Sequence, residues 1–256
     1  MSGSSTGGEP APGVPVAGSP EDVGRIAATA DGLLELGAAV SVCRACPRLV
    51  AWREKVATEK RRAFADETYW GRPIPGWGDP QPRVLIVGLA PAAHGGNRTG
   101  RIFTGDRSGD WLFASLHRVG LAAIPTSTHR GDGQALIRTR MIASVRCAPP
   151  DNKPLPAERD TCAPWLDAEM ALVLPGVRVA VALGAFAWQS LFTALVRQGL
   201  PAPRPRPRFG HGAEVAVGQL TVLGCYHPSQ QNTFTGKLTE PMLDAVLGRA
   251  ATYAAD

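Results

Sequence analysis

Residues 84–111 read VLIVGLAPAAHGGNRTGRIFTGDRSGDW, and this stretch decides the fold. Its first four residues are apolar, which is typical of a strand buried on both faces. A glycine-rich loop follows and ends against a helix that we expect to begin near Ser108. Glycine lets the backbone approach a ligand closely, but this loop has neither the spacing of a phosphate-binding loop nor that of a dinucleotide fingerprint. A buried strand, a ligand-facing loop and a helix thus form one unit of an α/β fold.

The same unit recurs along the chain. Short apolar runs flanked by Gly, Pro or Arg predict buried strands at 84–87, 141–145, 177–183 and 220–223. Helical spacing of apolar residues predicts helices at 108–120, 157–174, 185–198 and 239–254. Alternation of strands and helices indicates a parallel sheet covered by helices on both faces, with ligand sites at the carboxyl ends of the strands. Residues 213–217 are expected to add a hairpin partner to the last strand.

The N-terminal part has a different composition. Residues 1–20 are dominated by Gly, Ser, Pro and Ala, which bury too little surface to offset the entropy of ordering, so we expect a disordered tail before a single domain of residues 21–256. Within that domain we expect a helix over 21–39, with Ser19 and Pro20 as its start, and a short basic helix over 50–65. The Pro- and Gly-rich residues 69–82 predict irregular backbone.

Charge and cysteine content narrow the class of protein. A formal net charge of +5 and a pI near 9.2 favour polyanionic partners, although a dispersed positive charge would mean little. Five cysteines are too few for a disulfide scaffold, and the odd count suits a reducing compartment. The first residues lack the features of a signal peptide, and no apolar run reaches the roughly 18 residues that span a bilayer. We therefore expect a cytoplasmic protein with no membrane segment.

Four of the cysteines are candidates for one metal site. Cys43 and Cys46 form a C-x2-C pair, while Cys147 follows a predicted strand and Cys162 lies near the start of a predicted helix. Four thiolates suit either zinc or a [4Fe–4S] cluster, and the wide separation of the second pair favours the cluster. The alternative is that Cys147 and Cys162 are buried small apolar residues. Cys225, at the end of the last strand, is expected to be a core thiol.

Polar loops follow three of the predicted strands. Besides the glycine-rich loop, these are the sequence CAPPDNKP at 147–154 and the sequence YHPSQQNTF at 226–234. Because the carboxyl ends of parallel strands lie at one edge of the sheet, we expect all three loops to meet at one crevice.

These three loops, in this order and together with the four cysteines, resemble the uracil-DNA glycosylase superfamily and, within it, the iron–sulfur, broad-specificity family 5 branch. The resemblance runs from about residue 33 to 250. It implies a three-layer α/β/α sandwich around a four-stranded parallel sheet, with a structural [4Fe–4S] cluster held by Cys43, Cys46, Cys147 and Cys162. It also implies a monofunctional, monomeric glycosylase that hydrolyses the N-glycosidic bond of uracil, hypoxanthine and other deaminated bases in double- and single-stranded DNA. This reaction initiates base excision repair.

The resemblance assigns roles that the residue chemistry supports. Phe103 would stack on the extruded base, and Asn152 would read its edge. His227 would stabilise the negative charge that develops on the leaving base, and Asp106 would orient or deprotonate a water. Further expected substrate contacts are Ala92, His94 and Asn232. Expected DNA contacts, in a loop that fills the gap left by the flipped nucleotide, are Ser229, Gln230 and Gln231.

Several structural interpretations stay open beside these roles. Phe103 is also explained as a core residue, Asp106 as the N-cap of the following helix and Asn152 as a turn residue. The glycine-rich loop has Ala90-Pro91-Ala92 where members of the family that it resembles often carry an acidic or amide residue. Asp106 is therefore the carboxylate that we expect to act in catalysis. Two other functions remain: a non-catalytic nucleic-acid-binding protein with a structural metal, and a hydrolase of free nucleotides.

Overall fold

A six-stranded mixed sheet forms the centre of the protein, which is described by a computed structural model over residues 13–255. The apolar runs seen in the sequence supply its four inner strands, and the residues of those strands are buried except Thr221. The strands are β1 (Trp77–Gly78), β2 (Val84–Gly88), β3 (Thr139–Ala143), β4 (Val179–Leu183), β5 (Glu214–Val217) and β6 (Leu220–Cys225).

The strand order is β1-β3-β2-β4-β6-β5. The four inner strands pair in parallel, and both edge strands are antiparallel to their neighbours. The expectation of a four-stranded sheet is therefore wrong in the number of strands. The hairpin partner expected at 213–217 is β5, whereas β1 has only two residues within the Pro- and Gly-rich segment that predicted irregular backbone.

Helices connect the parallel strands, as predicted. The helices are α1 (Pro20–Thr29), α2 (Leu33–Ser41), α3 (Pro47–Glu59), α4 (Gly96–Thr99), α5 (Arg107–Arg118), α6 (Pro156–Val173), α7 (Ala185–Arg197), α8 (Gln230–Phe234) and α9 (Glu240–Ala255). Along β2, Val84 and Ile86 belong to one core with α5 and α9, while Leu85 and Val87 belong to another with α6 and α7. Since side chains alternate between the faces of a strand, the helices cover both faces, which gives three layers.

The N-terminal helices pack outside these layers, in a core of their own against α6. The single helix expected over 21–39 is two helices, because Ala30 and Gly32 are both extended. Of the predicted tail, residues 1–12 lie outside the described residues; Ala17 is fully buried, and its carbonyl accepts a hydrogen bond from the Arg44 N–H. Within residues 13–255, no helix is both long and apolar enough to cross a membrane.

Candidate active site

The loop after β2 carries Phe103 back against the strand that it leaves. A Cβ atom on Gly88, the last residue of β2, would lie 3.1 Å from the Phe103 ring, so the ring rests on bare backbone. Phe103 has a φ of 52°, which lies in the left-handed region that non-glycine residues seldom adopt. Only 7% of Phe103 is exposed, and it packs into the core shared with α5 and α9. The core interpretation of Phe103 is thus compatible with this structure, while its backbone strain is of a kind that concentrates at functional sites.

His227, in the loop after β6, faces Phe103. The two ring centroids are 5.7 Å apart and their planes are inclined by 37°. The side-chain amide of Asn232 donates a 2.8 Å hydrogen bond to the His227 carbonyl and so holds the loop that carries the imidazole. Burial lowers the pKa of His227 to about 4. The imidazole is therefore neutral at neutral pH and carries one N–H donor.

Asp106 is the N-cap of α5. Its Oδ1 accepts a 3.0 Å hydrogen bond from the Gly109 N–H, which confirms that the residue caps the helix. Its other oxygen lies against the backbone of the glycine-rich loop, where a Cβ on Gly95 would be 1.9 Å from Oδ2. Burial raises the pKa of the Asp106 carboxyl, while hydrogen bonds from the Gly109 and Ser108 backbone N–H groups oppose that shift. The carboxylate thus caps the helix through one oxygen and presents the other to the loop.

His94 and Ala92 lie in the same glycine-rich loop. The His94 Nδ1 is 3.0 Å from the Tyr69 hydroxyl, and its backbone carbonyl accepts a hydrogen bond from Arg98 Nε. Burial and the nearby Arg61 and Arg98 lower the pKa of His94. The Ala92 carbonyl accepts a hydrogen bond from the Asn97 N–H, which closes the turn into α4. These contacts shape the loop from within.

Asn152 lies in the loop after β3. It is exposed, at the end of a 3-10 turn over Pro150–Asn152, and both it and Asp151 adopt a positive φ. The neighbouring Lys153 carbonyl accepts a hydrogen bond from Arg48 of α3. This bond attaches the turn to the helix that follows Cys46.

The short helix α8 carries the predicted DNA contacts. Ser229 is its N-cap, and its hydroxyl accepts a hydrogen bond from the Asn232 N–H, while Gln230 and Gln231 are exposed. Sequence reasoning missed Phe234, whose side chain is 69% exposed at the end of this helix. The Arg107 guanidinium lies 5.7 Å from the centre of the Phe234 ring. Since Arg107 follows Asp106, this contact joins α8 to the end of α5 that carries the carboxylate.

The four candidate cysteines line one cavity. Cys43 and Cys46, in the turn before α3, meet Cys147, from the loop after β3, and Cys162, from α6. The Arg53 guanidinium donates to the Cys147 sulfur at 3.0 Å, and the Arg146 backbone N–H donates to the Cys162 sulfur at 3.3 Å. Chain segments about a hundred residues apart in the sequence therefore meet through their thiols.

Several buried N–H groups around this cavity have no hydrogen-bond acceptor, which suits a bound group that supplies acceptors in addition to the four thiols. Within residues 13–255, no partner is found for Arg53 Nε, for Arg146 Nε and Nη1 or for Trp165 Nε1, and all three residues line the cavity. Burial raises the pKa of Cys46 to about 12 and that of Cys147 to about 11, and it also raises the pKa of Cys162. Thiolates would therefore need a positive centre to stabilise them. The described cysteine, histidine and acidic residues contain no group of three or more placed around a single metal ion.

Comparison with known proteins identifies the family. A profile described as "Uracil DNA glycosylase superfamily" matches residues 75–250. A "Type-5 uracil-DNA glycosylase" of Mycobacterium leprae is 60% identical over 227 residues, which cover 88% of this chain and 97% of the relative. Proteins of the same description from Mycobacterium bovis and Thermus thermophilus are 58% and 49% identical, over 90% and 84% of this chain and 84% and 95% of the relatives. The chain therefore belongs to the uracil-DNA glycosylase superfamily, in its type-5 branch.

Proposed function

We propose that this protein removes uracil from DNA by hydrolysing the N-glycosidic bond, with no strand-cleaving step, and so initiates base excision repair. The observation that carries the proposal is the pair of facing rings, Phe103 and His227, beside a helix capped by the Asp106 carboxylate. An extruded base needs a flat wall to lie on and a donor at its edge, and the two rings supply both. The family and the printed activity of the relatives support the same reaction.

The residues divide the chemistry between them. Phe103 stacks on the base while the bond from the sugar C1′ to the base nitrogen breaks, and the electron pair of that bond leaves with the base. The neutral His227 N–H donates to a carbonyl oxygen of the uracil, where the negative charge collects. Asp106 faces the positively charged sugar and accepts a proton from the water whose oxygen bonds to C1′. The uracil anion takes up a proton from solvent and Asp106 returns its proton to solvent, so the products are free uracil and an abasic site.

The range of bases follows from the glycine-rich loop. Ala90, Pro91 and Ala92 of this loop carry no polar side chain, so this part of the pocket wall offers few hydrogen bonds that would reject a base other than uracil. We infer that hypoxanthine and other deaminated bases are also substrates. We propose that His94, which lies in the same loop with its ring held by Tyr69, also contacts the base. Asn152, which is exposed in the loop after β3, would read the base edge.

We also propose that the cavity lined by Cys43, Cys46, Cys147 and Cys162 holds a [4Fe–4S] cluster. The four thiols provide its ligands, and the donors of Arg53, Arg146 and Trp165 that lack protein partners suit a negatively charged group with sulfide acceptors. The cluster would supply structural cross-linking. It would hold the segment before α3 to the loop after β3 and to α6.

DNA is the partner that the charge and the exposed loop favour. Ser229, Gln230 and Gln231 lie on α8 beside His227, where a loop can enter the space left by a flipped nucleotide. We propose that the protein acts as a monomer on double- and single-stranded DNA. Its free thiols suit the reducing conditions of the cytoplasm.

One assay tests the reaction. The purified protein is incubated with duplexes that contain one uracil, one hypoxanthine or neither, and abasic sites are scored by cleavage in alkali. Alkali-labile sites at uracil, without cleavage before alkali, are the expected result. Binding without such sites would mean a non-catalytic DNA-binding protein, and hydrolysis of free deoxyuridine nucleotides alone would mean a nucleotide hydrolase.

A further inference from the structure

A second cavity opens between α6 and α7, on the side of the sheet that faces away from α5 and α9. Its volume is about 250 Å³. Ser144, the residue after β3, and Phe186, in the first turn of α7, both line it, so the cavity lies near the carboxyl ends of the parallel strands. The Ser144 hydroxyl donates a 3.0 Å hydrogen bond to the Gly88 carbonyl, and Gly88 is the residue on which the Phe103 ring rests. Cavity and candidate active site are therefore neighbours across one edge of the sheet.

The rim of this cavity is basic. Arg159, Arg197 and Arg206 line it, against one acidic residue, Asp160. Arg159 pairs with Asp160, Arg197 pairs with Asp167, and Arg206 donates to the Thr193 hydroxyl. These contacts use only part of the five N–H donors of each guanidinium, and such planar groups of donors match the geometry of phosphate.

The floor of the cavity carries a buried hydroxyl without a partner. Ser190 is 7% exposed, lines the cavity, and has no hydrogen-bond partner for its Oγ among residues 13–255. A buried hydroxyl without a partner is costly, and a ligand oxygen would relieve that cost. Beside it, Leu166 and the Phe186 ring provide an apolar surface. The cavity thus combines donors for an anion with a surface for a flat apolar group.

We propose that this cavity is a second nucleotide-binding subsite. The phosphate binds to the arginine rim and to the Ser190 hydroxyl, and the base lies against Phe186. The phosphate belongs either to a free nucleotide or to a DNA strand that leaves the candidate active site across the sheet edge, and this second source rests on the proposed function. Phosphate contacts from arginine position a strand without reading its sequence.

Calorimetric titration of the full chain with dTMP, with thymidine and with a uracil-free single-stranded oligonucleotide tests the proposal. We expect dTMP to bind more tightly than thymidine. The double variant Arg159→Gln/Arg206→Gln should weaken dTMP binding by about tenfold or more, because two charge-assisted contacts are lost. Ser190→Ala should weaken it by about threefold to tenfold. The matched control, Arg25→Gln/Lys55→Gln, removes the same charge from exposed positions on α1 and α3 and should bind dTMP like the wild type.

The oligonucleotide distinguishes the two sources of phosphate. If it displaces dTMP and loses affinity in the same variants, the subsite belongs to the DNA strand; if its affinity is unchanged while that of dTMP falls, the subsite takes a free nucleotide. Equal dTMP binding by cavity and control variants, or no binding of any probe, would overturn the proposal. Uracil excision from duplex DNA is measured in parallel, since its absence in the wild type would refute the proposed function without affecting binding of free dTMP.

Discussion

At the scale of single residues, Asp106 is the sharpest test, because one carboxylate both caps α5 and faces the glycine-rich loop. Asn caps a helix about as well as Asp, so Asp106→Asn should leave the melting temperature nearly unchanged. The substitution removes the negative charge and the proton acceptor. Single-turnover excision of uracil should therefore fall by about 10²- to 10⁴-fold, the range that general-base assistance supplies.

DNA affinity is the control for that variant. Loss of one acidic group near phosphates should not weaken binding, and it should be measured on the same sample as the rate and the melting temperature. A folded, DNA-bound variant that excises uracil at nearly the wild-type rate would leave Asp106 with its capping role alone. Stacking by Phe103 and stabilisation of the leaving base by His227 would then be the main source of catalysis.

The pH dependence of excision follows from the Asp106 carboxyl and the His227 imidazole. Excision needs ionised Asp106, whose pKa is raised by burial, and we expect it to need neutral His227, whose pKa is lowered to about 4. Acid removes both forms, so the single-turnover rate should be level near neutral pH and fall as the pH is lowered. In Asp106→Asn, the remaining fall should lie near pH 4, where His227 gains its proton. A wild-type rate that rises on acidification would contradict both assignments.

Stability changes in the same direction as the rate. The pKa of His227 is about 4 in the folded protein and about 6.5 in the unfolded chain. Between these two values the unfolded chain binds more protons than the folded protein. The free energy of unfolding therefore decreases as the pH falls from about 6.5 towards 4. Melting temperatures at each pH separate loss of fold from loss of chemistry.

Residue identity predicted only part of this site. The Asp106 cap follows from local chemistry, because an Asp before a helical pattern readily accepts a backbone N–H bond. The approach of Phe103 to His227 joins positions 124 residues apart, which no local pattern encodes. The bond from the Asn232 side-chain amide to the His227 carbonyl depends on how the loop folds back on itself, and it too has no local pattern.

At the scale of elements, α8 carries side chains that we expect to act differently. Phe234→Ala removes an exposed ring beside the site, and it should lower excision from duplex DNA more than from single strands, because only the duplex has a stack to interrupt. Asn232→Ala removes the bond that holds His227, so it should lower excision from both substrates alike. The ratio of duplex to single-strand rates is the measurement, and Leu34→Ala, which removes an exposed apolar side chain from α2, is the control. Equal losses on both substrates in Phe234→Ala would reject the wedge role.

The inner strands were predictable because each is a short apolar run buried on both faces, which leaves little choice of conformation. The edge strand β1 was not, since two residues, Trp77 and Gly78, carry no periodicity and are set by their pairing with β3. The break between α1 and α2 coincides with Asp31-Gly32, a turn signal outweighed in the prediction by the apolar spacing around it.

At the scale of the whole molecule, a buried charge network joins the sheet to α6. Glu169 pairs with Arg140 of β3 and with Arg146, each at 2.7 Å, and all three side chains are nearly inaccessible. Glu169→Gln leaves two buried cations without their counter-charge, so the free energy of unfolding should fall by about 3–5 kcal/mol. Asp167→Asn, which breaks the more exposed pair with Arg197, should cost at most about 1 kcal/mol. Chemical denaturation measures both, and equal losses would contradict the expected contribution of burial.

The cysteine site makes a prediction for the complete protein. Anaerobically purified protein should be brown and hold about four irons per chain, because four thiolates at one cavity suit a cubane cluster. Cys46→Ala should lose the colour and the fold. Cys225→Ala is the matched control: Cys225 is a buried thiol of β6 that packs in the sheet core, so colour and excision should persist. Zinc without iron, or the same behaviour of both variants, would show the ligand assignment to be wrong.

The cysteine site also has a consequence for how the chain is made. Cys46 leaves the ribosome 101 residues before Cys147, and α1 and α2 pack against α6, which is made later still. Closing a loop of that length costs chain entropy, which only contacts with the later segment can offset. The N-terminal helices are thus synthesised first but are fixed in place only after α6 has been made, and any metal centre in the cavity must be assembled after translation has passed Cys162.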